Sequence, residues 1–206
     1  MGNNNTATIK KDAPLTPVSD KNGSHVLMCE LEWFDERKKY VIANAPERTA
    51  KLEFSGSDLN FLARVLYAEA SGSAQLPDKA ERDKEKAAIM SVNHFRLNRP
   101  GYPRNNYIAT SFKMVCEAPG QFESVYAKSD KFIGSAKGRV ESLGKSECSD
   151  LEECIEAIKT FLEKGPDPRY KFDNFRGYMK NGPGTHIGRS RFFLSDSAAE
   201  VLKKIP

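Results

Sequence analysis

Between residues 58 and 72 the chain reads DLNFLARVLYAEASG, with Leu59, Leu62, Ala63, Leu66 and Ala70 at the spacing of one helical face. An apolar stripe of that width must be covered, so the rest of the chain has to fold around this helix. Ser57 is placed to cap its start near Asp58, and Gly72 to stop it. Glu69 lies three residues after Leu66, four after Val65 and seven after Leu62, on or beside the apolar stripe. Desolvation at such a position would favour the protonated form that a general acid needs near neutral pH, whereas a Glu near a helix end can equally reach solvent.

Further helical patterns follow. Asp78 and Glu81 have capping-box spacing for a second helix to about Leu97, burying Ala88, Ile89, Val92 and Phe95. Pro100, Gly101 and Pro103 predict a loop over residues 98–106, then a short helix from Ser111 to Cys116, broken by Pro119 and Gly120. Val125, Tyr126, Phe132, Ile133 and Val140 suggest two short helices between Phe122 and Gly144. Ser149 and Glu152 are spaced to open another helix, with Leu151, Cys154, Ile155, Ile158, Phe161 and Leu162 on one stripe and Gly165-Pro166 at its end. Phe192 and Phe193 suggest a strand, and Ser195 or Asp196 caps a terminal helix to Lys203.

Ahead of this, Leu27, Cys29, Leu31 and Trp33 alternate like a half-buried strand, and Tyr40 to Ile42 return so as to form a hairpin or a small sheet. The expected organisation is a flexible polar segment over 1–24, a small β appendage over 25–54 and a main domain over 55–206. The fold class is α+β, mainly α. With 206 residues, 39% of them hydrophobic, the chain can fill one sizeable core.

Apolar runs are only a few residues long, against the roughly 20 that a spanning helix needs, so no membrane insertion is expected. The net charge of +4, from 32 basic and 28 acidic residues, slightly favours an anionic polymer and falls far below that of nucleic-acid-binding domains. Residues Met1 to Ser24 show no apolar core of a secretory signal, so an extracytoplasmic substrate would require a dedicated injection system, a lysis pore or a leader already removed. The four cysteines, Cys29, Cys116, Cys148 and Cys154, allow three pairings if all are oxidised; Cys148 and Cys154 are near enough for a short bridged loop and equally suited to be buried thiols. No CxxC spacing is present, His25, His94 and His186 lack metal-ligand spacing, and no cofactor or metal is called for.

The segment 58–72, then AAIMSVNHFR over 87–96, then PGQF over 119–122, stand in the order of three motifs of a known family. They resemble the cell wall hydrolases typified by the spore-cortex-lytic enzyme SleB, whose first motif has the form LARxxYAEAxGE and whose third is PGQFS. The similarity covers roughly 58–126, with a weaker correspondence over 182–193. It implies a lysozyme-like fold and cleavage of peptidoglycan glycan strands between N-acetylmuramic acid and N-acetylglucosamine, in many members as lytic transglycosylases. By motif, Glu69 is the catalytic acid/base. Tyr67 would donate a hydrogen bond to substrate, Gln121 would bond an N-acetyl or hydroxyl group, and Phe122 would offer a sugar an apolar face. Thr185 and His186 would line the opposite wall of the cleft.

Ser71, Ser73, His94 and Glu123 depart from the family's Arg, Glu, Arg and Ser, and the connection 73–86 is longer and more charged. A hydrolytic outcome would call for a second carboxylate, for which Glu81, Glu85, Glu123 and Asp173 are candidates that otherwise read as surface charge. A wall-cutting toxin would also need a cognate inhibitor as partner. Two other readings compete. One is a peptidoglycan amidase or peptidase using Cys116 or Cys29 with His186 or His94. The other is a noncatalytic module binding glycan or nucleic acid through the aromatic and basic run 170–191.

Overall fold

The computed structural model describes residues 16–19, 25–102, 107–136, 139–140, 145–177 and 182–202. Strands β1 (Thr16–Ser19), β2 (His25–Met28), β3 (Lys39–Tyr40) and β4 (Phe54–Ser55) precede helices α1 (Gly56–Glu69), α2 (Lys79–Arg96), α3 (Phe112–Cys116), α4 (Glu123–Tyr126) and α5 (Asp130–Gly134). Strand β5 (Arg139–Val140), helix α6 (Lys145–Lys164), strands β6 (Asn174–Gly177), β7 (Thr185–Ile187) and β8 (Ser190–Phe193), and helix α7 (Asp196–Leu202) complete the order. The architecture is mixed and mainly helical.

Helix α1 is the centre, with Leu59, Leu62, Ala63, Val65 and Leu66 fully buried. It starts two residues earlier than the sequence suggests, because Ser55 rather than Ser57 is the cap: its hydroxyl accepts the Asp58 N–H at 3.2 Å. Gly56 permits this start, since the Asp35 carbonyl lies 2.1 Å from where a Cβ would stand. Helix α2 has the expected cap at Asp78 and buries Ala88, Ile89 and Val92 completely. Phe95 is only half-buried, and Glu81 pairs with Lys84 at 2.6 Å rather than closing a box.

Helix α6 packs across α1 and α2. It begins at Lys145, so Ser149 lies inside it and is not its cap. The seam contains an ionic cluster: Glu153 accepts from Arg82 at 2.6 Å and from fully buried Lys86 at 2.9 Å. Burial works to raise the Glu153 carboxyl, but the two cationic donors outweigh it and hold the pKa at about 2. Arg82 also donates to the carbonyls of Leu76 and Pro77, both at 2.8 Å, and so fixes the charged connection to α1.

The antiparallel sheets are β1-β2-β5, β3-β4 and β6-β8-β7. Strand β2 ends at Met28 and the chain to Phe34 is irregular, so of the two expected arrangements the hairpin does not form, while Tyr40 lies in a small sheet in which β3 pairs with β4. Thr16–Ser19 is a strand, whereas the rest of 1–24 lies outside the described residues. Cys29, Phe34, Ile42 and Phe54, within the stretch expected as an appendage, share the hydrophobic core of α1. A disulfide joins Cys29 to Cys148, not Cys148 to Cys154. Six residues along one helix separate two side chains by about 9 Å of rise and put them on different faces, beyond disulfide reach.

Among the described residues, no helix is long and apolar enough to cross a membrane.

Candidate active site

Glu69 closes α1 and is half-buried. Its Oε1 accepts two hydrogen bonds from one residue, the Ser124 N–H at 3.2 Å and the Ser124 hydroxyl in a short contact. Ser124 occupies the first turn of α4, whose N-cap Phe122 makes no side-chain cap bond, so backbone donors there are available to a carboxylate. Both donors meet the same oxygen, Oε1, so Oε2 takes no part in this contact. On the same four-residue helix, Tyr126 is 84% exposed.

The PGQF stretch is the turn that delivers Ser124. Gly120 sits at φ +74°, and the Gln121 N–H returns to the Ala118 carbonyl at 3.1 Å. Gln121 is half-buried and accepts from the Tyr102 hydroxyl at 3.1 Å. Phe122 is only 2% exposed, enclosed by Phe175 and the Arg96 guanidinium, so its ring belongs to the core. Tyr67 is 3% exposed. The Lys131 ammonium lies 4.8 Å over its ring, and burial, with the acidic groups Glu147 and Asp150, pushes the phenol well above its ordinary range. Two helical positions turn the chain by about 200°, so Tyr67 and Glu69 face different neighbours. The structure thus brings together Glu69 and the PGQF turn, but encloses Tyr67 and Phe122 in packing.

Thr185 and His186 are exposed on β7, where His186 contacts Arg191 across the pair with β8. The turn of this hairpin is tied to α1 by Glu85, which is fully buried. Glu85 accepts the Ser71 N–H at 2.9 Å, the Arg189 N–H at 3.2 Å and the Ser190 hydroxyl at 2.7 Å. Gly188, at φ +60°, leaves only 2.9 Å between a built Cβ and Glu85 carbons. The hairpin turn therefore sits against the exit of α1, two residues beyond Glu69.

Glu85 and Asp173 are buried, correcting their reading as surface charge. Asp173 accepts from Arg99 at 3.0 Å, the Ser195 N–H at 2.7 Å and the Ser195 hydroxyl at 2.6 Å. Burial acts to raise its pKa, but the hydrogen bonds from Ser195, Arg99 and Asn174 prevail and lower it. Glu123 is exposed on α4.

The thiol–imidazole reading finds no pair here. Cys29 is consumed in the disulfide, and Cys116 is buried, directed to Asn93, its thiol pushed well above the usual range by desolvation. His94 is buried against the Thr49 hydroxyl at 2.8 Å. Desolvation, aided by Arg48, drops its pKa to about 3 and keeps it neutral. Among the described residues no three His, Cys, Asp or Glu side chains are grouped to hold a metal ion.

Sequence reading missed Ser124, and named Glu85 only as a candidate second carboxylate rather than as the tie between α1 and the β7–β8 turn. Glu123 replaces the serine that follows PGQF in the family, yet a serine stands one place later, and that was the available signal. Comparison with family models, with curated proteins and with solved structures finds no match.

Proposed function

We propose that this chain is a peptidoglycan glycosidase that cleaves the MurNAc–GlcNAc backbone as a lytic transglycosylase, with Glu69 as acid and base. The observation that carries the reading is the Glu69–Ser124 pair, in which the carboxylate of the first motif meets the turn of the third. The lysozyme-like arrangement implied by those motifs is part of the proposal. In the reaction, Glu69 Oε2 gives its proton to the glycosidic oxygen while the muramic ring passes through an oxocarbenium-like state. The same oxygen then takes the proton of the muramic 6-hydroxyl, whose oxygen closes on C1 as a 1,6-anhydro ring.

Internal capture is the proposed route: of the four candidate second carboxylates, Glu85 and Asp173 are committed to buried hydrogen bonds and Glu81 is paired with Lys84, which leaves exposed Glu123 as the group whose removal separates internal capture from hydrolysis. The exposed Tyr126 ring offers a sugar face an apolar platform beside Ser124. The disulfide supports action in an oxidising compartment such as the bacterial envelope. There the protein would serve as a delivered antibacterial effector or a phage lysis enzyme. The effector version requires a cognate inhibitor over Glu69, and affinity purification from the producing cell that recovers no tight partner contradicts it.

Dye-labelled cell-wall sacculi test the reading. Glu69→Gln should lower fragment release by about 10²–10⁴-fold while still sedimenting with the sacculi. Unchanged release defeats the proposal, and binding without cleavage by either protein points instead to a glycan-binding module.

A further inference from the structure

Three arginines surround Phe95 and Tyr102, behind Gln121 and Phe122 of the PGQF turn. The guanidinium of Arg48 lies 5.9 Å and that of Arg99 5.4 Å from the Phe95 ring centre. Arg96 and Arg99 lie 5.0 and 5.4 Å from that of Tyr102. Arg96 and Arg99 are buried, Arg48 half-buried. Among the described residues, the carboxylate paired with this group is that of Asp173, at 3.0 Å from Arg99. Arg96 is held by the neutral acceptors Asp173 carbonyl at 2.8 Å and Asn174 Oδ1 at 3.2 Å. Among the described residues, Arg48 is held by the His94 carbonyl at 3.3 Å. The Nη1 atoms of Arg48 and Arg96 are buried with no hydrogen-bond partner.

Three guanidinium charges against one carboxylate leave an excess of two, in a place where water screens poorly. An unfilled buried donor costs the desolvation of that group, so the arrangement is incomplete as it stands. Neutral His94 adds no charge, and burial together with Arg99 drops the Arg48 pKa to about 10. We propose that Arg48 and Arg99, backed by Arg96, form an oxyanion site that takes a dianionic phosphoryl group. Guanidinium forks suit a tetrahedral oxyanion, which accepts on several oxygens at once, better than a halide. Two negative charges balance the excess. The site is independent of the glycosidase reading.

Thermal unfolding in inorganic phosphate, against sodium chloride and sodium acetate at equal ionic strength, tests it. At phosphate about ten times its Kd the wild type should melt about 3–6 °C higher than in either control salt. Arg48→Gln should lose this gain, yet without phosphate melt no lower than the wild type, since its repulsion with Arg99 is relieved. Arg48→Lys, which keeps the charge but not the fork, should bind phosphate several-fold more weakly by calorimetry. A wild-type response to phosphate no greater than to chloride or acetate, or an equal gain in Arg48→Gln, overturns the proposal.

Discussion

Ser124 contributes to Glu69 through two groups, a backbone N–H and a hydroxyl, and only the second can be removed by substitution. Ser124→Ala should therefore retain the α4 turn and lower kcat by about 10–100-fold with KM nearly unchanged; a rise in KM alone would show that Ser124 contacts substrate instead. His94 supplies a second residue-scale prediction. Its folded pKa of about 3 lies below the unfolded value near 6.5, so the unfolded state binds the extra proton between them and stability falls as pH falls through that window. Urea unfolding should lose about 2 kcal/mol from this group between pH 7 and 5. His94→Gln should remove that part of the slope, and an identical slope in both proteins would contradict the assignment. At this scale Glu69 was singled out by the motif wording around it, because helical phase alone lets a carboxylate near a helix end reach solvent; in the structure it is half-buried against Ser124. The surroundings of Tyr67 and Phe122 were not legible, because a motif fixes order along the chain while helical phase and long-range packing decide what a side chain faces.

The elements around the site depend on contacts distant in sequence. Glu85 of α2 joins the exit of α1 to the β7–β8 turn, 104 residues away at Arg189. Glu85→Ala strands three donors and should cost about 3 kcal/mol or more in urea unfolding; a cost below about 1 kcal/mol would show that the hairpin is held by other contacts. Helix positions were largely readable from apolar spacing, as α2 and its Asp78 cap show. Boundaries set by tertiary contact were not. Helix α6 continues N-terminally past Ser149, where Cys148 is bonded to Cys29 and Asp150 accepts the Ser73 N–H at 2.9 Å. Ser55 capped α1 ahead of Ser57 because β4 pairs with β3 and places it there.

At the scale of the molecule, the Cys29–Cys148 bond closes 119 residues of chain and ties the N-terminal sheet region to the helices that carry the site. Closing so long a loop restricts the unfolded chain, and its loss should cost about 2–5 kcal/mol. Reduction, or Cys29→Ser, should thus lower Tm by about 5–15 °C, and equal melting of the reduced and oxidised proteins would count against it. The pairing could not be read from spacing, since three pairings fit four cysteines and only the fold brings residues 29 and 148 together. In the proposed function Glu69, held at Oε1 by Ser124, cuts wall glycan by internal capture. Mass spectrometry of soluble products from purified peptidoglycan, with Glu69→Gln as control, tests it most directly. The account predicts muropeptides ending in 1,6-anhydro-muramic acid from the wild type and none from the variant. Products with reducing ends would contradict the lytic route, and equal products from both proteins would contradict Glu69 as the catalytic group.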